Sequence, residues 1–441
     1  MKKAIILAST PISHIIPLEP LSLFLNSNEF EIHCFSCKEN EQRIVDLKMI
    51  FHEYPKGVFR EIGQKKDLSY LNEVNDLWKS KKVLKGYKLF IEMDTRQMYN
   101  INKGLVEDMR KIIESINPAV IFRDSADKIG YYLSKELTVP VIGYITNNLY
   151  SDLFFNQNPE YLYSLLLNVD RVNNESMNNK ELNQYFKNYR ENLININKDI
   201  SKSLSLQPLN VMHQFDPMNY LTLIFSIDDL QPNVSLYKNR KYDIVYPTIS
   251  RFNIENIIDE DLKNILNTKD PIIYIATGSI FSNLFEYYVN YINVFSKCKC
   301  RVIISCKDYC KELNMYIKEM GIKNIFIRET LPQKYVLSKA NLFITSGGQN
   351  SILEAIFFEV PMLLDPISSE QRMNGLMIES IGVGLTSNKG NKHSQNLNIM
   401  VKYLLTSSDV KQQLHKYSKM IKTHDNDFEE LKNFLRDNFL L

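Results

Sequence analysis

Three groups of residues in this sequence have types and spacings suited to chemistry. The most informative is the run from Ile344 to Gly375, ITSGGQNSILEAIFFEVPMLLDPISSEQRMNG. A short apolar strand, LFIT, leads into Gly347 and Gly348, which allow a tight turn. Asn350 and Ser351 then supply capping groups where the apolar helix ILEAIFF begins. N–H groups at a helix start lack intrahelical partners, and the helix dipole adds to their attraction for an anion. Phosphate is the expected guest. The logic repeats in PMLLDP, a buried strand whose end is followed by Glu370 and Gln371, where ligands of open α/β sheets bind. The second group is His14, in the loop after the apolar run KAIILAS, with a carboxylate further along the chain. Imidazole, with an unperturbed pKa of about 6.5, accepts a hydroxyl proton at neutral pH. Asp124, just after the strand AVIF, is placed to fix the tautomer of such a base, as carboxylates do in hydrolase triads. Asp127 competes for that role, and either residue also suits a helix cap. The third group is Gly278-Ser279 in IATGSIF, a turn that opens another helix.

These groups need a scaffold that ends strands at one edge. KAIILAS, the loop and helix of TPISHIIPLEPLSLFL, and the strand FEIHCFS form a βαβ opening. A helical stretch over 102–115 precedes the strand NPAVIFRD, followed by the helix DKIGYYLSKEL and the strand VPVIGYIT. The polar, Asn-rich segment 150–205 has a helical pattern and is expected to flank an acceptor pocket or form a lid. After about residue 243 the character changes, and PIIYIATGS, RVIIS, NIFIRE, NLFIT and PMLLDP read as a second series of buried strands separated by helical lengths. The expected class is α/β, with two doubly wound halves joined near Pro247 and right-handed crossovers in each. The expected boundaries are 1–240, a linker over 241–270, a second domain over 271–423, and an amphipathic terminal helix over 424–441.

Composition narrows the partners. The chain has 441 residues, 44% hydrophobic and 24% charged, enough for two sizeable cores. Lys plus Arg exceed Asp plus Glu by only two, 53 against 51, so bulk charge does not draw it to nucleic acid, and the partner is expected to be small. No apolar run reaches the roughly 18 residues of a transmembrane helix. The MKK start precedes only AIILA, shorter than a signal-peptide core, so cytoplasmic residence is the expectation. Cys298, Cys300, Cys306 and Cys310 cluster, but RVIIS between them reads as a strand and separates Cys300 from Cys306 by about 20 Å, at about 3.3 Å per residue. One tetrahedral ion with bonds of about 2.3 Å cannot span that distance. Cys34 and Cys37 lie in a strand-like HCFSC, not at a helix start that would stabilise a thiolate, so free reduced cysteines are expected.

The run from Thr345 resembles the donor-binding signature of the nucleotide-sugar glycosyltransferases that include the macrolide, flavonoid and glucuronosyl transferases. The family pattern is roughly Thr-His-x-Gly-x-Asn-Ser, Glu, Gly-Val-Pro, Pro, then an acidic residue and Gln. It is matched by Thr345, Gly348, Asn350, Ser351, Glu354, Val360, Pro361, Pro366, Glu370 and Gln371. Ser346 stands where the family has His, and Glu359 where it has Gly. Ser13-His14-Ile15-Ile16-Pro17 is similar to the family's Gly-His-x-x-Pro base loop, lacking its Gly. The resemblance is strongest over 271–385 and weakest between 40 and 240.

The resemblance implies a GT-B fold, two Rossmann-like doubly wound domains facing a cleft, with the acceptor on the N-terminal domain, the donor on the C-terminal one, and the terminal helix returning to the first. It implies inverting, metal-independent transfer of a hexose from a UDP- or dTDP-sugar co-substrate, without a cofactor, to a hydroxyl of a small apolar or natural-product acceptor. His14 would be the base, oriented by Asp124. Gly278, Ser279, Gly347, Gly348, Asn350 and Ser351 would surround the diphosphate, with Ser346 a shorter, uncharged donor in place of the family's His. Glu354 would accept from the ribose hydroxyls, Gln333 would lie near base and ribose, and Glu370 with Gln371 would hold the sugar hydroxyls. Thr330 stands where many members stack an aromatic ring on the pyrimidine. The aromatics of YITNNLYSDLFF would line an acceptor pocket or pack in the core. Two other readings share the fold: a non-catalytic homologue serving a partner glycosyltransferase, and a sugar-nucleotide epimerase.

Overall fold

The computed structural model describes residues 1–9, 11–55, 73, 103–150, 154, 195, 202, 216–217, 219–231, 240–249, 260–278, 285–366, 369–387, 394–438 and 440–441. The segment 150–205 read as helices therefore lies almost wholly outside the described residues. The chain divides into two compact units, with boundaries between Pro247 and Thr248 and between Asp425 and Asn426.

The first unit holds a seven-stranded parallel sheet in the order β3-β2-β1-β4-β5-β6-β7. Its strands are β1 (Lys2–Leu7), β2 (Phe30–Ser36), β3 (Ile50–Glu53), β4 (Val120–Asp124), β5 (Val141–Ile145), β6 (Leu221–Phe225) and β7 (Lys241–Val245). β4 and β6 are buried at every residue, as expected of central strands covered on both faces. The order reverses between β1 and β4, which makes their carboxyl ends the switch point where α/β sheets bind ligands. Helix α1 (Glu19–Ser27) starts with Pro20 in its first turn and buries Leu21, Phe24 and Leu25 at helical spacing. Helix α2 (Lys128–Glu136) follows β4.

The second unit holds a six-stranded parallel sheet in the order β10-β9-β8-β11-β12-β13. Its strands are β8 (Ile272–Ala276), β9 (Arg301–Ser305), β10 (Ile325–Arg328), β11 (Leu342–Thr345), β12 (Met362–Leu364) and β13 (Gly384–Thr386). The switch point lies between β8 and β11, the strands that carry the two glycine turns. Helices α3 (Phe285–Phe295), α4 (Gln333–Leu337), α5 (Gln349–Phe357), α6 (Ser369–Ser380) and α7 (Ser408–Thr423) belong to this unit.

The expected linker over 241–270 is corrected: Lys241–Val245 is the edge strand β7, paired in parallel with β6, and Glu260–Leu266 is helical. An edge strand exposes one side to water, and the mixed polarity of KYDIV hides its extended state from a hydrophobic reading. The terminal helix α8 (Glu429–Asp437) is part of the first unit, where Leu431 and Leu435 are fully buried in the core that holds Phe24 and Phe428. Burying each such leucine stabilises by about 1.5–3 kcal/mol. Asp243 of β7 accepts from the N–H groups of Glu430, at 3.1 Å, and Leu431, at 2.8 Å, supplying the anion that the helix start favours.

All six cysteines are free, and among the described residues no three His, Cys, Asp or Glu side chains could hold a metal ion. Burial pushes the Cys34 and Cys37 thiols up, against a redox role. Among the same residues no helix is long and apolar enough to cross a membrane.

Glu359, in place of the family's glycine, takes φ 59° just past the end of α5. Its carboxylate is 3.2 Å from His415 Nδ1 and 3.3 Å from Lys422 Nζ, both on α7. Partial burial raises its pKa, but the two cations outweigh that and hold it below the usual range. A side chain in this conformation costs about 1 kcal/mol relative to glycine, and exposed ion pairs return about 0.2–1 kcal/mol each. Glu359→Gly is therefore expected to unfold close to wild type, and Glu359→Ala, which keeps the strain and loses the ion pairs, about 2–4 °C lower than the glycine variant in a thermal melt.

Candidate active site

In the first unit the chain leaves β1 and forms a short 3-10 turn, Ile12–His14, tied by His14 N–H to Pro11 C=O at 2.9 Å. Ile15 and Leu18, fully buried, anchor the turn to the core and present His14 with its side chain 16% exposed. His14 Nδ1 lies 2.8 Å from Asp124 Oδ2, at the carboxyl end of β4. The buried Asp124 also accepts from Ser9 N–H at 3.3 Å and Ala126 N–H at 2.8 Å. An ionised carboxylate only accepts, so the imidazole proton sits on Nδ1 and the basic lone pair on Nε2. Thr146 Oγ1, just past β5, stands 3.2 Å from the same Nδ1.

Asp127, the competing carboxylate, does something else. It is the N-cap of α2, accepting from Ile129 N–H at 3.1 Å and Gly130 N–H at 3.0 Å. Gly130 leaves room for that carboxylate, since a Cβ there would collide with Asp127 Oδ2. Arg123 backs it with bonds to the carbonyls of Asp124, Asp127 and Pro217.

In the second unit, Gly278 follows β8 with φ 91°, a conformation that favours glycine, and among the described residues nothing lies within 4 Å of where its Cβ would be. Ser279 lies outside the described residues. After β11, Gly347 also has φ 91°, and a Cβ there would approach Leu364 Cδ2 to 2.5 Å. Gly348 is extended and is the N-cap of α5, with Ile352 N–H bonding its carbonyl at 3.1 Å. The expected capping by Asn350 and Ser351 is thus corrected: the extended backbone of Gly348 starts the helix earlier and puts both residues inside its first turn. The cap itself supplies no side-chain acceptor.

Around this turn, Asn374 Nδ2 of α6 holds the Gly347 carbonyl at 2.9 Å. Ser346 is 1% exposed, and its hydroxyl finds no hydrogen-bond partner among the described residues. Gln333 Nε2 donates to Glu354 Oε2 at 2.7 Å and to Ser351 Oγ at 3.2 Å, joining three expected donor-site residues. Burial raises the Glu354 pKa against the opposing pull of Gln333 and Lys334. Glu370 and Gln371 open α6, the first half-buried and the second buried, whereas Thr330 is exposed. Asp365, beyond β12, accepts from Ser387 Oγ at 2.9 Å and Tyr291 Oη at 3.3 Å. Thr146, Asn374 and Asp365 escaped the sequence reading, since each is a single polar residue at a strand end or on a helix face, without a spacing motif.

Residues 259–432 match the family model described as UDP-glucoronosyl and UDP-glucosyl transferase. The match covers less than half of the chain. It is 27% identical over 202 residues to the uncharacterized UDP-glucosyltransferase YojK of Bacillus subtilis (strain 168), covering 45% of this chain and 46% of that protein. The chain thus spans about half the length of this curated relative. Among solved structures, the glycotransferase of kitacinnamycin superposes with a TM-score of 0.70 at 13% identity, covering 99% of this chain and 98% of that one. Glycosyltransferase VinC, solved in complex with dTDP, superposes with a TM-score of 0.60 at 12% identity over 99% of both chains. These likenesses establish the fold, GT-B with two Rossmann-like domains, as the resemblance implied.

Upstream of the matched region, Asp127 offers a test of the geometry in the first unit. Burial pushes its carboxyl from 3.8 up to about 7, against the opposing pull of Arg123 and the N–H groups of Gly130 and Ile129. A carboxyl raised in the folded state contributes stability that is present below its unfolded pKa and lost as pH rises through its folded pKa. Asp127→Asn keeps an equally good cap and removes the titration. The melting temperature of wild type relative to this variant is expected to fall as pH rises from about 4 to about 8. A constant difference would contradict the assignment.

Proposed function

We propose that this protein is an inverting glycosyltransferase that moves a hexose from a UDP- or dTDP-sugar to a hydroxyl of a small acceptor. The observation that carries this reading is the 2.8 Å bond from His14 to the buried Asp124, a base held in one tautomer at the ligand-binding end of its sheet. The match of residues 259–432 to the UDP-glucoronosyl and UDP-glucosyl transferase model and the dTDP bound to VinC support the donor class.

In the first unit, His14 Nε2 takes the proton of the acceptor hydroxyl as the oxygen becomes nucleophilic, and Asp124 stabilises the imidazolium. In the second, the start of α5 and the Gly278 turn receive the diphosphate, whose growing charge on departure is met by backbone N–H groups. The buried Ser346 hydroxyl, without a partner among the described residues, fits a donor to that group, because a phosphate oxygen would satisfy it. Glu354, held by Gln333, accepts from the ribose hydroxyls, and Glu370 and Gln371 hold the sugar. One-step displacement by the acceptor oxygen gives inversion. The acceptor is a small apolar or natural-product hydroxyl compound, and cytoplasmic residence fits a soluble nucleotide-sugar donor. Tyr144, Tyr150 and Phe154 are at most 1% exposed and pack in the core, so they do not argue for its identity.

His14→Ala is expected to lower transfer to a panel of phenolic and polyketide acceptors by at least about 100-fold while UDP or dTDP affinity stays within a few-fold. Product analysis by mass spectrometry checks this, and full activity in the variant would refute the base. A wild-type protein that binds nucleotide but transfers nothing would favour the auxiliary homologue, and an isomerised donor without acceptor would favour an epimerase.

A further inference from the structure

We infer that Thr146 is a positioning residue for His14, acting as a second acceptor for the Nδ1 proton beside Asp124; this rests on the glycosyltransferase reading above. Thr146 sits just past β5 and is 4% exposed, with Oγ1 3.2 Å from the ring nitrogen that lies 2.8 Å from Asp124. β1, β4 and β5 are neighbours in the sheet, so their carboxyl ends deliver His14, Asp124 and Thr146 together.

The direction of the bond follows from the carboxylate. Asp124 only accepts, so Nδ1 bears hydrogen, and a hydroxyl facing that hydrogen accepts as well. Two acceptors on one N–H restrict rotation of the imidazole about Cβ–Cγ more tightly than one, and this sets where Nε2 meets the acceptor hydroxyl. Both acceptors also favour the imidazolium over the neutral ring, which raises the basicity of Nε2. Tyr54, Tyr144, Asp127 and Arg123 are titratable groups that feel the Asp124 charge, and substitution of Thr146 leaves all of them in place.

The experiment compares wild type with Thr146→Val, which keeps the shape and removes the acceptor, and with Thr146→Ser, which restores it. Thr146→Val is expected to lower kcat about 3- to 10-fold, the range set by loss of one neutral hydrogen bond, with donor KM within two-fold. The acid limb of kcat/KM against pH should move about half a unit lower, because the imidazolium is less stabilised. Thr146→Ser should recover both. An unchanged kcat and acid limb in Thr146→Val, or a loss confined to KM, would overturn the inference. A wild type without transfer activity would refute the functional reading instead, and NMR titration of the His14 imidazole then decides this one. A lower His14 pKa in Thr146→Val supports the positioning role, and an identical pKa overturns it.

Discussion

Parallel strand pairing is the constraint on which everything else depends. In a parallel sheet all strands end at one edge, so residues far apart in sequence that follow neighbouring strands are brought side by side. Ala4 pairs with Val120 and Asp124 with Tyr144, and that register places His14, Asp124 and Thr146 at one edge of the first sheet. In the second sheet Ala276, Thr345 and Leu364 share one level across β8, β11 and β12. The residues one step further, Thr277, Ser346 and Asp365, form a buried polar row at the strand ends. A slip of one residue in either sheet would turn these side chains to the opposite face and dismantle the site.

The departures from the family pattern show how local cost is met nearby. Glu359 takes a left-handed conformation that glycine would take more easily, and α7 offers it Lys422 and His415 as partners. Ser346 replaces a longer, charged side chain and leaves its hydroxyl buried without a partner among the described residues. Such an orphan costs roughly 1–3 kcal/mol in the unliganded protein, a cost that a bound oxygen removes.

The central strands were legible because continuous apolar runs such as KAIILAS, RVIIS and PMLLDP bounded by turn residues have few other uses. β3, β7 and β13 were not, since edge strands are short and of mixed polarity. β6, although wholly buried, follows a long polar stretch and was passed over. In the site, the positions of His14 and the glycine turn were readable from loop placement. The choice between Asp124 and Asp127 was not, because Asp124 ends β4, Asp127 follows within one tight turn, and only side-chain direction separates the partner of His14 from the cap of α2. The start of α5 was misplaced for a related reason: Asn350 and Ser351 have capping chemistry, but the backbone of Gly348 decides where the helix begins.

The most direct test of the proposed donor site is thermal unfolding of the protein with UDP, dTDP, GDP and ADP, each at millimolar concentration. Ligand at 100 times its dissociation constant adds about 2.7 kcal/mol to the unit that binds it, a rise of several degrees. A pyrimidine-nucleotide donor site predicts such a rise with UDP or dTDP and little with the purine nucleotides. No shift with any of the four, or an equal shift with all, would contradict a pyrimidine-nucleotide donor site at the start of α5.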